Sequence, residues 1–269
     1  MARSHADAFL EAILQDPDDD TPRLVYADWL EEQGDSASAA RAEFIRIQCS
    51  LAGGELPSRR RAALKRREQQ ILDEHGREWV GSLRRLLRSW KFQRGFLNEV
   101  EVFSGKFVSY AGRLFRQAPI QHVHLAREVV PRPGQRLSIP ALADCEHLQR
   151  VCSLDLRDNR LETRDARALL VSPYLTGLTV LDLSHNRIGD GGIRALADSP
   201  LLGQLTELDL RANDFGPAGV RALARALLVL ARSPQGLCLR RLNLRDNNLG
   251  TAGQRVIADS ALLRRLVRR

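Results

Sequence analysis

The sequence predicts an α/β chain in two parts: an all-helical domain over residues 1–91, then stacked strand–helix units over residues 92–269. Two observations carry that expectation. First, the pattern apolar-x-x-Leu-x-Leu-x-x-Asn occurs four times, starting at Val151, Leu178, Leu205 and Leu239 and closing at Asn159, Asn186, Asn213 and Asn247. Second, helix-forming runs such as Ile193-Arg194-Ala195-Leu196-Ala197 and Val220-Arg221-Ala222-Leu223-Ala224 lie between the copies. A unit of this kind buries its apolar face only by stacking on its neighbours.

The N-terminal part reads as five helices. Phe9, Leu10, Ile13 and Leu14 share one helical face before Pro17 and the acidic turn Asp18-Asp19-Asp20. Thr21 and Pro22 look like an N-cap and first helical residue, and Leu24, Val25, Trp29 and Leu30 are expected to face inward until Gly34 ends the helix. A third helix is expected over about 39–51, burying Phe44, Ile45 and Ile47. A strongly basic fourth runs from Pro57 to about His75, and a short fifth after Gly76 buries Trp79, Val80, Leu83 and Leu86. Together Phe9–Leu14, Asp18–Glu32, Gly34-Asp35 and Arg41–Gln48 resemble the bacterial repeat-companion domain. The resemblance covers about residues 7–50. It implies a bacterial, cytoplasmic protein and carries over no catalytic residue.

The strand half of the repeat also fits Leu97-x-x-Val100-x-Val102 and Ile120-x-x-Val123-x-Leu125. The middle apolar positions Val100, Val123, Leu154, Leu181, Leu208 and Leu242 are then 23, 31, 27, 27 and 34 residues apart. The 31-residue step holds Pro131-Arg132-Pro133-Gly134, expected to be an extended loop. The spacing and the turn after each asparagine resemble ribonuclease-inhibitor-type leucine-rich repeats over about residues 97–263. That resemblance implies a right-handed, curved solenoid of about six repeats, with parallel strands inside and helices outside. The final basic segment Arg264–Arg269 is expected to be a helix capping its end, and the helical domain to shield its first strand.

Asn159, Asn186, Asn213 and Asn247 stand where the chain leaves each strand, and an amide there can donate to and accept from the turn backbone. They are expected to be a structural ladder, each worth about 1–3 kcal/mol. Strand alternation sends the residues between the leucines to the opposite, concave face. The central column is Glu101, His124, Asp155, Asp182, Asp209, Asn243. One flank holds Glu99, His122, Ser153, Val180, Glu207 and Arg241; the other holds Phe103, Ala126, Arg157, Ser184, Arg211 and Arg245. Three stacked aspartates repel one another, and Arg157 and Arg211 can reach them diagonally. An acidic row beside an arginine row is suited to a protein partner of reversed pattern, with Asp155, Asp182, Asp209, Arg157, Arg211, Arg245, Glu207 and His124 as the candidate contacts.

Charge offers an alternative. Residues 1–50 carry 4 basic and 11 acidic side chains, so the net +8 of the chain is −7 there and +15 beyond. Arg59, Arg60, Arg61, Arg66 and Arg67 on the fourth helix, with the C-terminal tail, could bind nucleic acid or another polyanion. No aromatic residues interleave to stack bases. Asp16-x-Asp18-Asp19-Asp20 lacks the glycine and glutamate of a calcium loop, no metal or cofactor is expected, and no nucleophile motif or triad spacing points to an enzyme. The cysteines Cys49, Cys145, Cys152 and Cys238 form no C-x-x-C pair and read as reduced thiols. No signal peptide or membrane span is expected.

Overall fold

The computed structural model describes residues 5–129 and 137–267. The Pro131–Gly134 stretch and the last two arginines lie outside the described residues. The chain divides into two compact units, Met1–Val100 with Gly112–Ile120, and Glu101–Ala111 with Gln121–Arg269.

The first unit begins with α1 (His5–Gln15), α2 (Thr21–Glu32), α3 (Ser36–Ala52) and α4 (Ser58–Val80). In α1, Ile13 is buried, and Phe9 meets Tyr26 and Trp29 at ring distances of 5.5 and 5.8 Å. In α2 the expected inward face holds for Leu30 and, in part, Trp29, but not for Leu24 and Val25. Leu24 and Val25 are 39% and 48% exposed, while Arg23, Ala27 and Leu30 are buried. The cause is Arg23, whose guanidinium donates to the carbonyls of Asp19 at 2.6 Å and Pro17 at 2.7 Å and ties the helix start to the acidic turn. Positions i, i+4 and i+7 then face the core, which turns Leu24 and Val25 outward. The helix starts at Thr21 itself, and Asp20 pairs with Arg94 at 3.1 Å instead of capping by its side chain.

Gly76 does not separate two helices. It is buried against Leu72, and α4 continues because Trp79 and Val80 extend the apolar face, with His75 stacked on Trp79 at 5.5 Å. The break comes at Gly81, where φ is +55° and a 3-10 turn carries Leu83 inward. The domain is also not purely helical. The strand β1 (Ser89–Gln93) starts inside it, and β2 (Phe96–Phe103) follows across Arg94 and Gly95, with φ of +51° and +85°. Two successive positive φ values are those of a tight hairpin turn. Gly95 lies on α3: its N–H donates to Gln48 Oε1 at 2.7 Å, and an added Cβ would stand 2.4 Å from Ile45 Cγ1. Arg41 lies over Trp79 at 4.4 Å and within 6 Å of Phe44, Phe92 and Phe96; burial pushes its guanidinium down to about 10. Aromatic faces stand in for a carboxylate there.

After α5 (Phe107–Gln117) the second unit carries β3 (His122–Ala126), α6 (Ile139–Ala143), β4 (Ser153–Asp155), α7 (Thr163–Leu170), β5 (Val180–Asp182), α8 (Gly189–Asp198), α9 (Leu201–Gln204), β6 (Glu207–Asp209), α10 (Pro217–Arg232), β7 (Arg241–Asn243), α11 (Gly250–Asp259) and α12 (Ala261–Val267). Strands β3 to β7 pair in parallel in chain order, with Val123, Leu154, Leu181, Leu208 and Leu242 in register. The buried leucines, with Ile193, Val220 and Leu223 from the helices, form one side of this sheet's core. In the described part the helices follow the strands, so crossover and strand alternate as parallel pairing requires.

Each turn is tied to the next repeat. Asn186 Nδ2 donates to Leu156 O at 3.0 Å and Leu183 O at 2.8 Å, while its Oδ1 accepts from Asn159 N at 3.1 Å and Leu161 N at 2.9 Å. Asn213 donates to Leu183 O at 2.8 Å, and Asn247 Oδ1 accepts from Asn213 N at 2.7 Å. Asn159 donates to Leu125 O at 2.7 Å. A second tie is Asp190 on α8, whose Oδ1 accepts from Gly216 N at 2.9 Å and Gly219 N at 2.7 Å at the start of α10. Helix α12 buries Leu263 and Leu266 and contacts β7 and α11.

Candidate functional site

On the face of the β3–β7 sheet away from the leucine core, register aligns three rows. His124, Asp155, Asp182, Asp209 and Asn243 are successive neighbours, and so are His122, Ser153, Val180, Glu207 and Arg241. Arg157, Ser184, Arg211 and Arg245 stand two positions beyond the central row.

The central row does structural work with one oxygen of each side chain. Oδ1 of Asp155, Asp182 and Asp209 accepts the backbone N–H two residues on, at 2.9, 2.8 and 2.8 Å, and Asn243 Oδ1 does the same at 3.1 Å. This is the turn that aspartate and asparagine favour, and it ends each strand. It explains the residue types in the row without any ligand. The second oxygens remain on the open face. Oδ2 of Asp155 binds Arg157 Nε at 2.7 Å, with His124 Nε2 3.7 Å away. Asp209 Oδ2 accepts from Asn243 Nδ2 at 2.9 Å.

The arginine row is less uniform than its spacing suggests. Arg157 spans two aspartates, its Nη2 at 2.5 Å from Asp155 and 3.5 Å from Asp182, and these carboxylates hold its pKa above the ordinary arginine value. Arg211 does not reach the row: its Nε binds Asp246 Oδ2 at 2.6 Å on the turn side. The Asp246 carboxylate, from the next repeat, takes the guanidinium, so the diagonal pairing expected for Arg211 is lost. Glu207 pairs with Arg241 at 3.0 Å, and among the described residues the Arg245 guanidinium has no ionic partner. Asp182, Glu207, Asp209, Arg241, Asn243 and Arg245 line a cavity of about 320 Å³, walled by Val180 and, from α12, Val267. Arg241, Asn243 and Val267 were not anticipated as contacts. The first two are legible from the register; Val267 depends on where α12 packs.

Asp182 sits at the middle of the row, between Asp155 and Asp209. Burial pushes its carboxyl above the ordinary range, the Ser184 hydrogen bonds oppose this, and the flanking Asp155 and Asp209 add to the rise. A carboxyl raised on folding stabilises the fold fully below its unfolded pKa, about 3.9, and loses that contribution as pH rises through the folded value. At neutral pH its ionised form is therefore a cost. Asp182→Asn keeps the Oδ1 acceptor, as Asn243 does naturally, and removes the charge. It is expected to raise the denaturation midpoint at pH 7, with the gain vanishing near pH 3.5; a midpoint lowered at pH 7 would contradict this.

The basic stretch of α4 is partly committed. Arg67 holds Glu43 through two hydrogen bonds of 2.7 and 2.6 Å, and Arg61 reaches the Leu51 and Gly54 carbonyls at 3.4 Å. Arg59, Arg60 and Arg66 are exposed and unpaired among the described residues. The acidic loop is also accounted for internally: Asp16 accepts from Asp18 N at 3.2 Å, Asp19 from Thr21 N at 2.8 Å, and Asp20 pairs with Arg94. Among the described residues no group of three or more His, Cys, Asp or Glu side chains could hold a metal ion. No helix of the described residues is long and apolar enough to cross a membrane. Cys49 and Cys145 are buried, and burial with Asp20 nearby pushes the Cys49 thiol up to about 12, far from a reactive thiolate.

Comparison with protein families gives one match. The family described as Leucine Rich repeat matches residues 175–197, 205–224 and 237–258, which supports leucine-rich repeats in the second unit. These stretches take in β5 with α8, β6 with the first half of α10, and β7 with α11. A search of curated proteins returns no match.

Proposed function

We propose that this chain is a non-enzymatic binding protein. Its repeats, about six over residues 92–269, form a right-handed solenoid of ribonuclease-inhibitor type, and the polar sheet face is its concave inner surface. A protein partner docks there, on the rows containing Asp155, Asp182, Asp209, Arg157, Glu207 and Arg245. His124 lies at one end and Arg211 at the turn-side margin. Leucine-rich repeats generally mediate protein–protein interaction, and stacked repeats present extended surfaces for it. Residues 1–91 are a companion domain of the bacterial type, and the protein works in the cytoplasm.

The observation that carries the reading is the row of three carboxylates on the polar sheet face. Three parallel neighbours, Asp155, Asp182 and Asp209, stand side by side in register, and burial pushes the Asp182 carboxyl above its ordinary value. The test must spare the turns. Changing the three aspartates to lysine would remove three backbone acceptors together with the charge. Changing them to asparagine removes only the charge. The triple asparagine variant is expected to fold as the parent does and to lose capture of the partner from native cytoplasm. If instead capture survives that variant but is lost, with steep salt dependence, on Arg59, Arg60 and Arg66→Gln, the site lies on α4 and the ligand is a polyanion.

A further inference from the structure

The chain displays, within its own polar face, a binding mode that one neighbouring position leaves unfilled. Arg157 reaches across two adjacent aspartates of the central row, Asp155 at 2.5 Å and Asp182 at 3.5 Å. One repeat further along, Asp182 and Asp209 are paired in the same parallel register. The arginine that would span them belongs at position 184, where the chain carries a serine that is 5% exposed. The repeats on either side have arginine there, Arg157 and Arg211, and so does the last, Arg245, whereas β3 carries Ala126. Arg211 cannot substitute, because it is held by Asp246 at 2.6 Å.

We propose that the cavity beside Asp182 and Asp209 is a subsite for one arginine side chain of the docked protein. The proposal rests on the docking face above and names the chemistry that face recognises. The cavity, about 320 Å³, is at the low end of ligand pockets, which run roughly 300–1,000 Å³, and suits a long side chain. Its polar wall offers the Asp182 and Asp209 carboxylates from strands ~4.8 Å apart, together with the Glu207–Arg241 pair and Arg245. A planar guanidinium with several fixed donors spans such a pair better than a point-charge ammonium. Val180 and Val267 give the apolar sides against which an aliphatic stem packs. Glu207 pairs with Arg241 and Asp209 accepts from Asn243, while among the described residues Asp182 Oδ2 has only the longer 3.5 Å contact with Arg157, so Asp182 is the anchor. Its nearest cation stands 3.5 Å away, and an incoming guanidinium would neutralise a carboxylate that burial otherwise penalises.

The experiment is a titration of the full chain with N-acetyl-arginine amide, read by the methyl NMR signals of Val180 and Val267. N-acetyl-citrulline amide serves as the uncharged isostere. The arginine probe is expected to shift both methyl signals saturably in the millimolar range, and the citrulline probe not to. Ser184→Arg supplies the missing guanidinium from the chain, and Asp182→Asn removes the anchor. Each is expected to weaken the probe by at least about tenfold. Asp182→Asn retains the turn acceptor and so remains informative if Ser184→Arg fails to fold. Equal responses to both probes, no saturable response, or undiminished binding in folded Asp182→Asn overturns the subsite. If the probe fails while the triple asparagine variant still loses partner capture, the subsite is wrong and the docking face stands. If the probe binds as expected while that variant retains capture, the subsite exists and the docking reading fails.

Discussion

Asn186→Ala is expected to cost about 3–4 kcal/mol, more than a typical surface or turn substitution. The side chain accepts from two backbone N–H groups, of Asn159 and Leu161, and donates to the carbonyls of Leu156 and Leu183. It is 4% exposed, so water cannot replace those partners. Each stranded group costs about 1–3 kcal/mol, with less than full additivity because the groups share one turn. Asn213, fully buried, should behave similarly, whereas Asn159, half-buried, should lose less. Urea denaturation of the three alanine variants checks both the size and the order. An Asn186→Ala midpoint equal to the parent's would remove the ladder from the account.

Gly95→Ala is expected to destabilise by about 3 kcal/mol through two independent causes. At φ +85° an L side chain is strained, and the new Cβ would lie 2.9 Å from Ile45 Cα, a backbone atom that cannot swing aside. The move needed to relieve it would stretch the 2.7 Å hydrogen bond from Gly95 N to Gln48 Oε1. Gly34, also at positive φ but with nothing near its would-be Cβ, is the control, and its alanine variant should lose only the conformational part. Equal midpoints for Gly95→Ala and Gly34→Ala would show that the contact with α3 is not what position 95 requires.

The repeats were legible because their signal is redundant. Leu154, Leu181, Leu208 and Leu242 recur within the same nine-residue pattern, so strand, face and register follow from one another. The aspartate row was equally visible, but its first duty was not. The acceptor role of Oδ1 depends on a turn two residues long, and the spacing Leu-Asp-Leu does not distinguish that duty from a recognition surface. The pairing of Arg211 is equally hidden in the strand spacing, because Asp246 comes from the next repeat, 35 residues away, and takes the guanidinium. In the first unit the periodicity of α2 pointed to Leu24 and Val25, because burying Arg23 is costly unless its donors are satisfied. The carbonyls of Pro17 and Asp19 take its two terminal nitrogens, and no pattern of side chains announces backbone acceptors. The strand β1 escaped notice because its burial alternates on only five residues, Ser89–Gln93, beside a long helical run.

The most direct measurement is partner capture by the full chain with Asp155, Asp182 and Asp209 all changed to asparagine, beside the parent at matched salt and with the denaturation midpoint recorded for both. A folded variant that no longer retains the partner is the predicted result. A folded variant that retains it undiminished would contradict docking on the charged face of the repeat sheet.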